Sequence, residues 1–223
     1  MNTLFSFFMA ILASFSTLIG YFTIYIKKDK NKILFLSLLI SSFIILYISL
    51  FDLLKEGINL INNKNIIIIL FYILIGLLIT YIINKKIDNH DSLYRVGVIS
   101  IISIMLHNIP EGIITYLSSK ISINLQFKLI LAIALHNIPE GITISIPIYY
   151  STNSKIKAFF YTFISGFSEL LGYLICMFFI KNINNNILGY LLLIVTGIMI
   201  YLSYHLLFES LKYKKGKGSS LLF

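Results

Sequence analysis

The octapeptide Leu-His-Asn-Ile-Pro-Glu-Gly-Ile occupies residues 106–113 and returns unchanged at 135–142. On a helix, His107 and Glu111 stand four residues apart, as do His136 and Glu140, so each pair shares one face and can converge on one ion. Asn108 and Asn137 lie about 100° further round the same helix and can offer an amide oxygen to a neighbouring position. Imidazole nitrogen and carboxylate oxygen without thiolate suit Zn²⁺ or Fe²⁺, with Mn²⁺, Co²⁺ and Cd²⁺ as further candidates. A proton relay or an internally hydrogen-bonded polar cluster is the other reading of the quartet. Neither copy is His-Glu-x-x-His, so a zinc protease fits poorly.

Other groups extend this chemistry. Glu169 sits centrally in Ser165-Gly166-Phe167-Ser168-Glu169, as a further ligand or a bridging carboxylate. Asp52, in the inner portion of the second apolar run, and His205, deep in the last one, are candidates for a transport path, weighed against a wet-end acid and a packing histidine. Ser103, Ser145 and Ser168 could line such a path, and Glu209 near the edge of the last run reads as a snorkelling side chain. Asp88, His90 and Asp91 are either a docking spot for metal or a solvated turn. Pro110 and Pro139 each remove a backbone donor, which frees the carbonyls of Leu106 and Leu135 beside the histidines.

The elements that must position these groups are membrane helices. Of the 223 residues, 58% are hydrophobic and 12% charged, with a mean hydropathy of +0.90, whereas a soluble domain carries roughly 25% charge. Seven apolar runs, at about 4–26, 33–54, 66–83, 96–118, 127–149, 156–180 and 187–208, approach or exceed the roughly 20 residues that cross hydrocarbon as a helix. Many are rich in β-branched Ile, but lipid cannot satisfy the open edges of a sheet, so the expected class is all-α, a single polytopic bundle over 1–223. The repeat falls near the middle of runs four and five. Consecutive spans are antiparallel, so the two copies should face each other, and kinked backbone is tolerated there if it lines a polar cavity. Two mid-membrane carboxylates with no Lys or Arg in the same spans need a counter-charge. A divalent cation supplies one.

The formal charge of +9 reflects topology rather than a nucleic-acid partner. Lys27, Lys28, Lys30, Lys32, Lys85, Lys86, Arg95, Lys155, Lys157 and the tail lysines from Lys212 to Lys217 follow odd-numbered spans, against Lys55, Lys64, Lys120, Lys128 and Lys181 after even-numbered ones. The positive-inside rule therefore puts the N-terminus outside and, after seven spans, the C-terminus in the cytoplasm of a multi-pass plasma-membrane protein. Lone Cys176 offers no disulfide framework or thiolate cluster. Glycines at 20, 76, 97, 166, 172, 189 and 197 suit close helix contact.

His107-Asn108-Ile109-Pro110-Glu111-Gly112 and its copy resemble the fourth- and fifth-span motifs of the ZIP family of divalent-metal transporters, in its ZupT-like bacterial branch. Gly166-Phe167-Ser168-Glu169 resembles that family's sixth-span segment. The resemblance runs from span one to about Phe208. It implies a transporter rather than an enzyme, taking up zinc, often with iron, manganese or other divalent ions, from outside to cytosol. It also implies a two-metal site with bridging glutamates between spans four, five and six, a homodimer in the lipid bilayer, and both termini outside. Asp52 stands where the branch usually has Glu, and His205 falls where it usually has Asp-Glu. The family has eight spans, and the sequence reads as seven with a short Gly218–Phe223 tail. A chain lacking the last span would leave, as the alternative, a truncated, non-transporting metal-binding membrane protein.

Overall fold

A computed structural model describes residues 3–27, 29–87, 91–121, 123–179 and 184–214. Asp88, His90 and the tail from Lys215 onward, in which two of the expectations above fall, lie outside the described residues. The fold is an all-α membrane bundle, and among the described residues seven helices are long and apolar enough to cross a bilayer: Leu4–Tyr25, Lys30–Leu60, Ile66–Lys86, Ser92–Lys120, Gln126–Thr152, Lys155–Phe179 and Asn185–Tyr213. We refer to them as spans one to seven.

The polar connections act as helix starts. The side chains of Asp29, Asn65 and Asn184 accept bonds from the backbone N–H groups of Lys32, Ile67 and Asn186, each at 2.9 Å, satisfying donors that a first turn otherwise leaves open. Between spans five and six the chain reverses through Asn153 at φ 52°, a left-handed conformation that asparagine tolerates. Span two runs past the expected end near residue 54 to Leu60, through one π-helical turn at Ser49–Leu53 that carries Asp52. Spans four and five stay helical through Pro110, Pro139 and Pro147.

Glycines set which helices touch backbone to backbone. A methyl group on Gly112 would strike the carbonyl oxygen of Glu169, and one on Gly172 that of Ile109, so spans four and six cross in direct contact. The same reciprocal arrangement joins spans one and five at Gly20 and Gly141, and spans three and seven at Gly76 and Gly197. Gly57 and Gly189 join spans two and seven. With Gly166 of span six against the Ser14 carbonyl of span one, these crossings divide the bundle into two sets: one, four, five and six, and two, three and seven. Among the described residues no glycine crossing links the sets. Their junction is filled with larger side chains, including Leu34, Leu38, Ile45, Ile99, Ile144 and Leu202.

Candidate metal centre

Spans four and five bring the two copies of the octapeptide face to face at the centre of the first set. His136 Nε2 lies 2.8 Å from Glu111 Oε1, and His107 Nε2 lies 3.5 Å from Glu111 Oε2 and 3.4 Å from Glu140 Oε1. The two imidazole centroids are 6.0 Å apart. One ligand atom from each of His107, Glu111 and His136 falls within 4.8 Å of the others, near enough for small side-chain movements to bring all three to the about 2.0–2.2 Å at which each would hold one Zn²⁺. His107 and Glu140 are buried, while the side chains of Glu111 and His136 keep 12% and 15% exposure.

These contacts are at ion-pair distance, but several of the same atoms have no hydrogen-bond partner. Both ring nitrogens of His107, His136 Nε2, Glu111 Oε2 and both carboxylate oxygens of Glu140 are buried with no hydrogen-bond partner among the described residues. Such groups ordinarily cost about 1–3 kcal/mol each when left unsatisfied, and more when charged. The sequence places no Lys or Arg between Val96 and Ser119 or between Leu129 and Ser154. The set is therefore donor-rich, anionic and open to a cation.

The flanking asparagines tie this cluster to its neighbours. Asn137 Nδ2 donates to Glu169 Oε2 at 2.8 Å and to the Ala13 carbonyl at 3.0 Å, holding spans one and six against span five. Asn108 Nδ2 donates to the Ser165 carbonyl at 3.1 Å. Both amide oxygens, together with Glu169 Oε1 and Ser165 Oγ, remain without partners. Glu169 is thus beside the centre, delivered by the Gly112–Gly172 crossing, although the compact three-residue group draws its atoms from spans four and five alone.

Comparison with known proteins decides the family. The model of the family described as "ZIP Zinc transporter" matches residues 84–221. "Zinc transporter ZupT" of Clostridium perfringens is 32% identical over 242 residues, covering 91% of this chain and 85% of that protein. The protein of the same name from Streptococcus mutans is 34% identical over 223 residues, covering 89% and 84%.

The chain belongs to the ZIP family.

ZIP proteins are transporters rather than enzymes, in agreement with the chemistry expected of the motifs. In this ZIP-family chain the remaining sequence candidates lie apart from the compact group. Asp52 is exposed on its π-helical turn. His205 stacks on Tyr201 at 6.3 Å, with its Nδ1 buried and unpartnered. Glu209, read as a snorkelling acid, is instead buried, with 3% exposure. It accepts from Ser92 Oγ at 3.0 Å, Lys212 Nζ at 2.7 Å and Tyr213 Oη at 3.4 Å. Ser145 and Ser168 donate to the carbonyls of Gly20 and Ser165, at 3.4 and 2.6 Å. Leu106 and Leu135 face outward, at 37% and 62% exposure. Within the second octapeptide the Pro139 carbonyl accepts from the hydroxyls of Thr143 at 2.9 Å and Ser41 at 3.4 Å.

Arg95, counted above only among the basic residues that set the orientation, also joins Asn84 and Tyr201, which carry no local sequence signal. Arg95 Nε donates to Asn84 Oδ1 at 2.7 Å and its Nη2 to the Asn84 carbonyl at 2.8 Å, while Asn84 Nδ2 reaches Tyr201 Oη at 2.6 Å. The available signal was that Arg95 is the single arginine of the chain.

Proposed function

We propose that this chain takes up Zn²⁺ across the plasma membrane, from outside to cytosol, through a site built on His107, Glu111, His136, Glu140 and Glu169, with Asn108 and Asn137 contributing amide oxygens. The observation that carries this reading is the pair of facing motifs whose buried nitrogens and oxygens approach one another yet lack hydrogen-bond partners. Two zinc ions bridged by glutamate between spans four, five and six would use the unpartnered oxygens of Glu140, Glu169, Asn108 and Asn137. Nitrogen and oxygen donors would also accept Fe²⁺, Mn²⁺, Co²⁺ or Cd²⁺. The relatives' name, zinc transporter, favours zinc as the main cargo.

The basic residues support an orientation with the N-terminus outside. Lys30 lies over Tyr150 at 5.4 Å and Lys155 over Tyr25 at 4.5 Å, so these lysines share the end that also holds Arg95 and Lys212. With that end cytosolic, an inward-negative potential favours cation uptake by about 2.3 kcal/mol per charge per 100 mV. Asp52, past the middle of a span that starts at the basic end, would then lie toward the outer end rather than in the inner portion expected of it, and His205 toward the cytosolic end; a homodimer in the bilayer remains part of the proposal.

The test is zinc uptake into proteoliposomes holding the purified chain, beside a Glu140→Ala version. Uptake that disappears with Glu140 supports the proposal. Zinc binding without uptake would favour the non-transporting metal-binding reading, and neither binding nor uptake would refute both.

A further inference from the structure

Between the metal centre and the basic end of the bundle the way is closed by apolar packing. Leu93, Val96 and Ile99 of span four, and Met199, Leu202 and Leu206 of span seven, are buried in one cluster. A hydrated or partly hydrated divalent ion cannot cross such packing without a large desolvation cost. Spans four and seven must therefore separate, at least locally, whenever an ion passes between the centre and this end.

What holds span four there differs from what holds it elsewhere. Against span six it is locked by the backbone crossing at Gly112 and Gly172. Toward spans three and seven, at its basic end, Arg95 and Ser92 supply side-chain hydrogen bonds. Arg95 grips both the side chain and the backbone carbonyl of Asn84, and Asn84 passes the contact to Tyr201, whose ring stacks on His205. Ser92 adds its bond to Glu209. Hydrogen bonds at a partly exposed mouth can break and re-form with water as the substitute partner, whereas a glycine crossing cannot be loosened without creating a void.

Building on the transport reading above, we propose that Arg95, Asn84 and Tyr201 form a latch that clasps span four to spans three and seven, and that it parts each time an ion moves between the metal centre and the basic end. The two-pronged guanidinium contact makes the closed state specific in geometry. The ring of His205 on Tyr201 places the same joint beside a residue of the expected path.

Two experiments test the latch. In a Cys176→Ser background, a thiol is introduced by Ser100→Cys, a near-isosteric change at a fully buried position five residues beyond Arg95. Its rate of reaction with a membrane-impermeant methanethiosulfonate is measured without zinc. Arg95→Ala should raise that rate about tenfold, the effect of losing roughly one charge-assisted hydrogen bond from the closed state. A thiol introduced by Ser6→Cys at the opposite end should keep its rate. An unchanged rate at position 100, or an equal rise at both positions, would overturn the proposal.

The second experiment links Asn84→Cys to Arg95→Cys with a reducible bis-methanethiosulfonate. Linking should arrest zinc uptake and reduction should restore it. The same linker between Tyr72→Cys and Tyr190→Cys, whose parent rings stack at 4.4 Å inside one helix set, should leave uptake intact. Undiminished uptake with spans three and four linked would also overturn the latch. Labelling reads the joint without metal, and uptake by the unlinked Cys176→Ser parent reads transport, so the two proposals fail separately.

Discussion

Three times in this chain a histidine is followed four residues later by a glutamate, at His107 and Glu111, His136 and Glu140, and His205 and Glu209. The first two pairs sit on facing helices in the middle of the bundle, where Glu140 keeps both oxygens unpartnered and no lysine or arginine lies in the surrounding stretches. The third sits at the basic end, where Glu209 is already held by Lys212, Ser92 and Tyr213. The same spacing thus yields an acceptor for a cation in one place and a satisfied ion pair in the other. The difference lies in the neighbours: an i,i+4 pair stays open to a cation only where the fold withholds other counter-charges.

Removing a central carboxylate should break this contrast most severely. Glu140→Ala leaves His107 without its approach partner in span five and should cut zinc uptake by about a hundredfold or more, read in proteoliposomes as initial rate. Retained uptake would mean the route bypasses the repeat.

The next effect reaches the centre through packing. Gly112→Ala drives a methyl into the Glu169 carbonyl, so spans four and six must part and carry Glu169 with them. Overpacking of this kind costs about 1–3 kcal/mol of stability. Thermal unfolding in detergent should show the loss, together with weaker zinc binding, while wild-type behaviour in both would deny that the crossing positions Glu169.

Acid should separate the regions further. Ligand carboxylates and imidazoles must give up protons to hold metal, so zinc affinity should fall steadily between about pH 7 and about pH 5, a range that spans ordinary imidazole titration. Titration of zinc binding at several pH values checks this, and a flat profile would point to ligands other than histidine and glutamate.

The smallest effect belongs to the third pair. Lys212 is 48% exposed, and its bond to Glu209 is worth at most about 1 kcal/mol. Lys212→Ala should leave zinc stoichiometry unchanged and affinity within about twofold. An added zinc equivalent would show that Glu209 was a masked ligand.

Much of this was legible in the sequence because hydrocarbon leaves few options. Once seven apolar runs are found, an all-α bundle follows from the need to satisfy every backbone polar group, and the repeated octapeptide announces its own face-to-face placement through the antiparallel order of spans four and five. Helix ends were less legible: span two continues through the exposed Lys55 and Glu56 to Leu60, because hydrophobicity ends before helical hydrogen bonding does. Long-range partnerships were hidden for a different reason. Ser92 meets Glu209 across 117 residues, and Gly112 meets Glu169 through backbone rather than side chain, so neither contact leaves a local pattern. Arg95 and Asn84 belong to the same category, since both looked like ordinary flanks of a charged connection.

The most direct test of the central claim is anomalous X-ray diffraction at the zinc edge from crystals of the zinc-loaded chain. The strongest peak should lie between spans four and five, within about 2.0–2.2 Å of nitrogen or oxygen atoms of His107, Glu111 and His136, with any second peak on the side of Glu140 and Glu169. A strongest peak at His205 and Glu209, with the facing motifs empty, would contradict that claim.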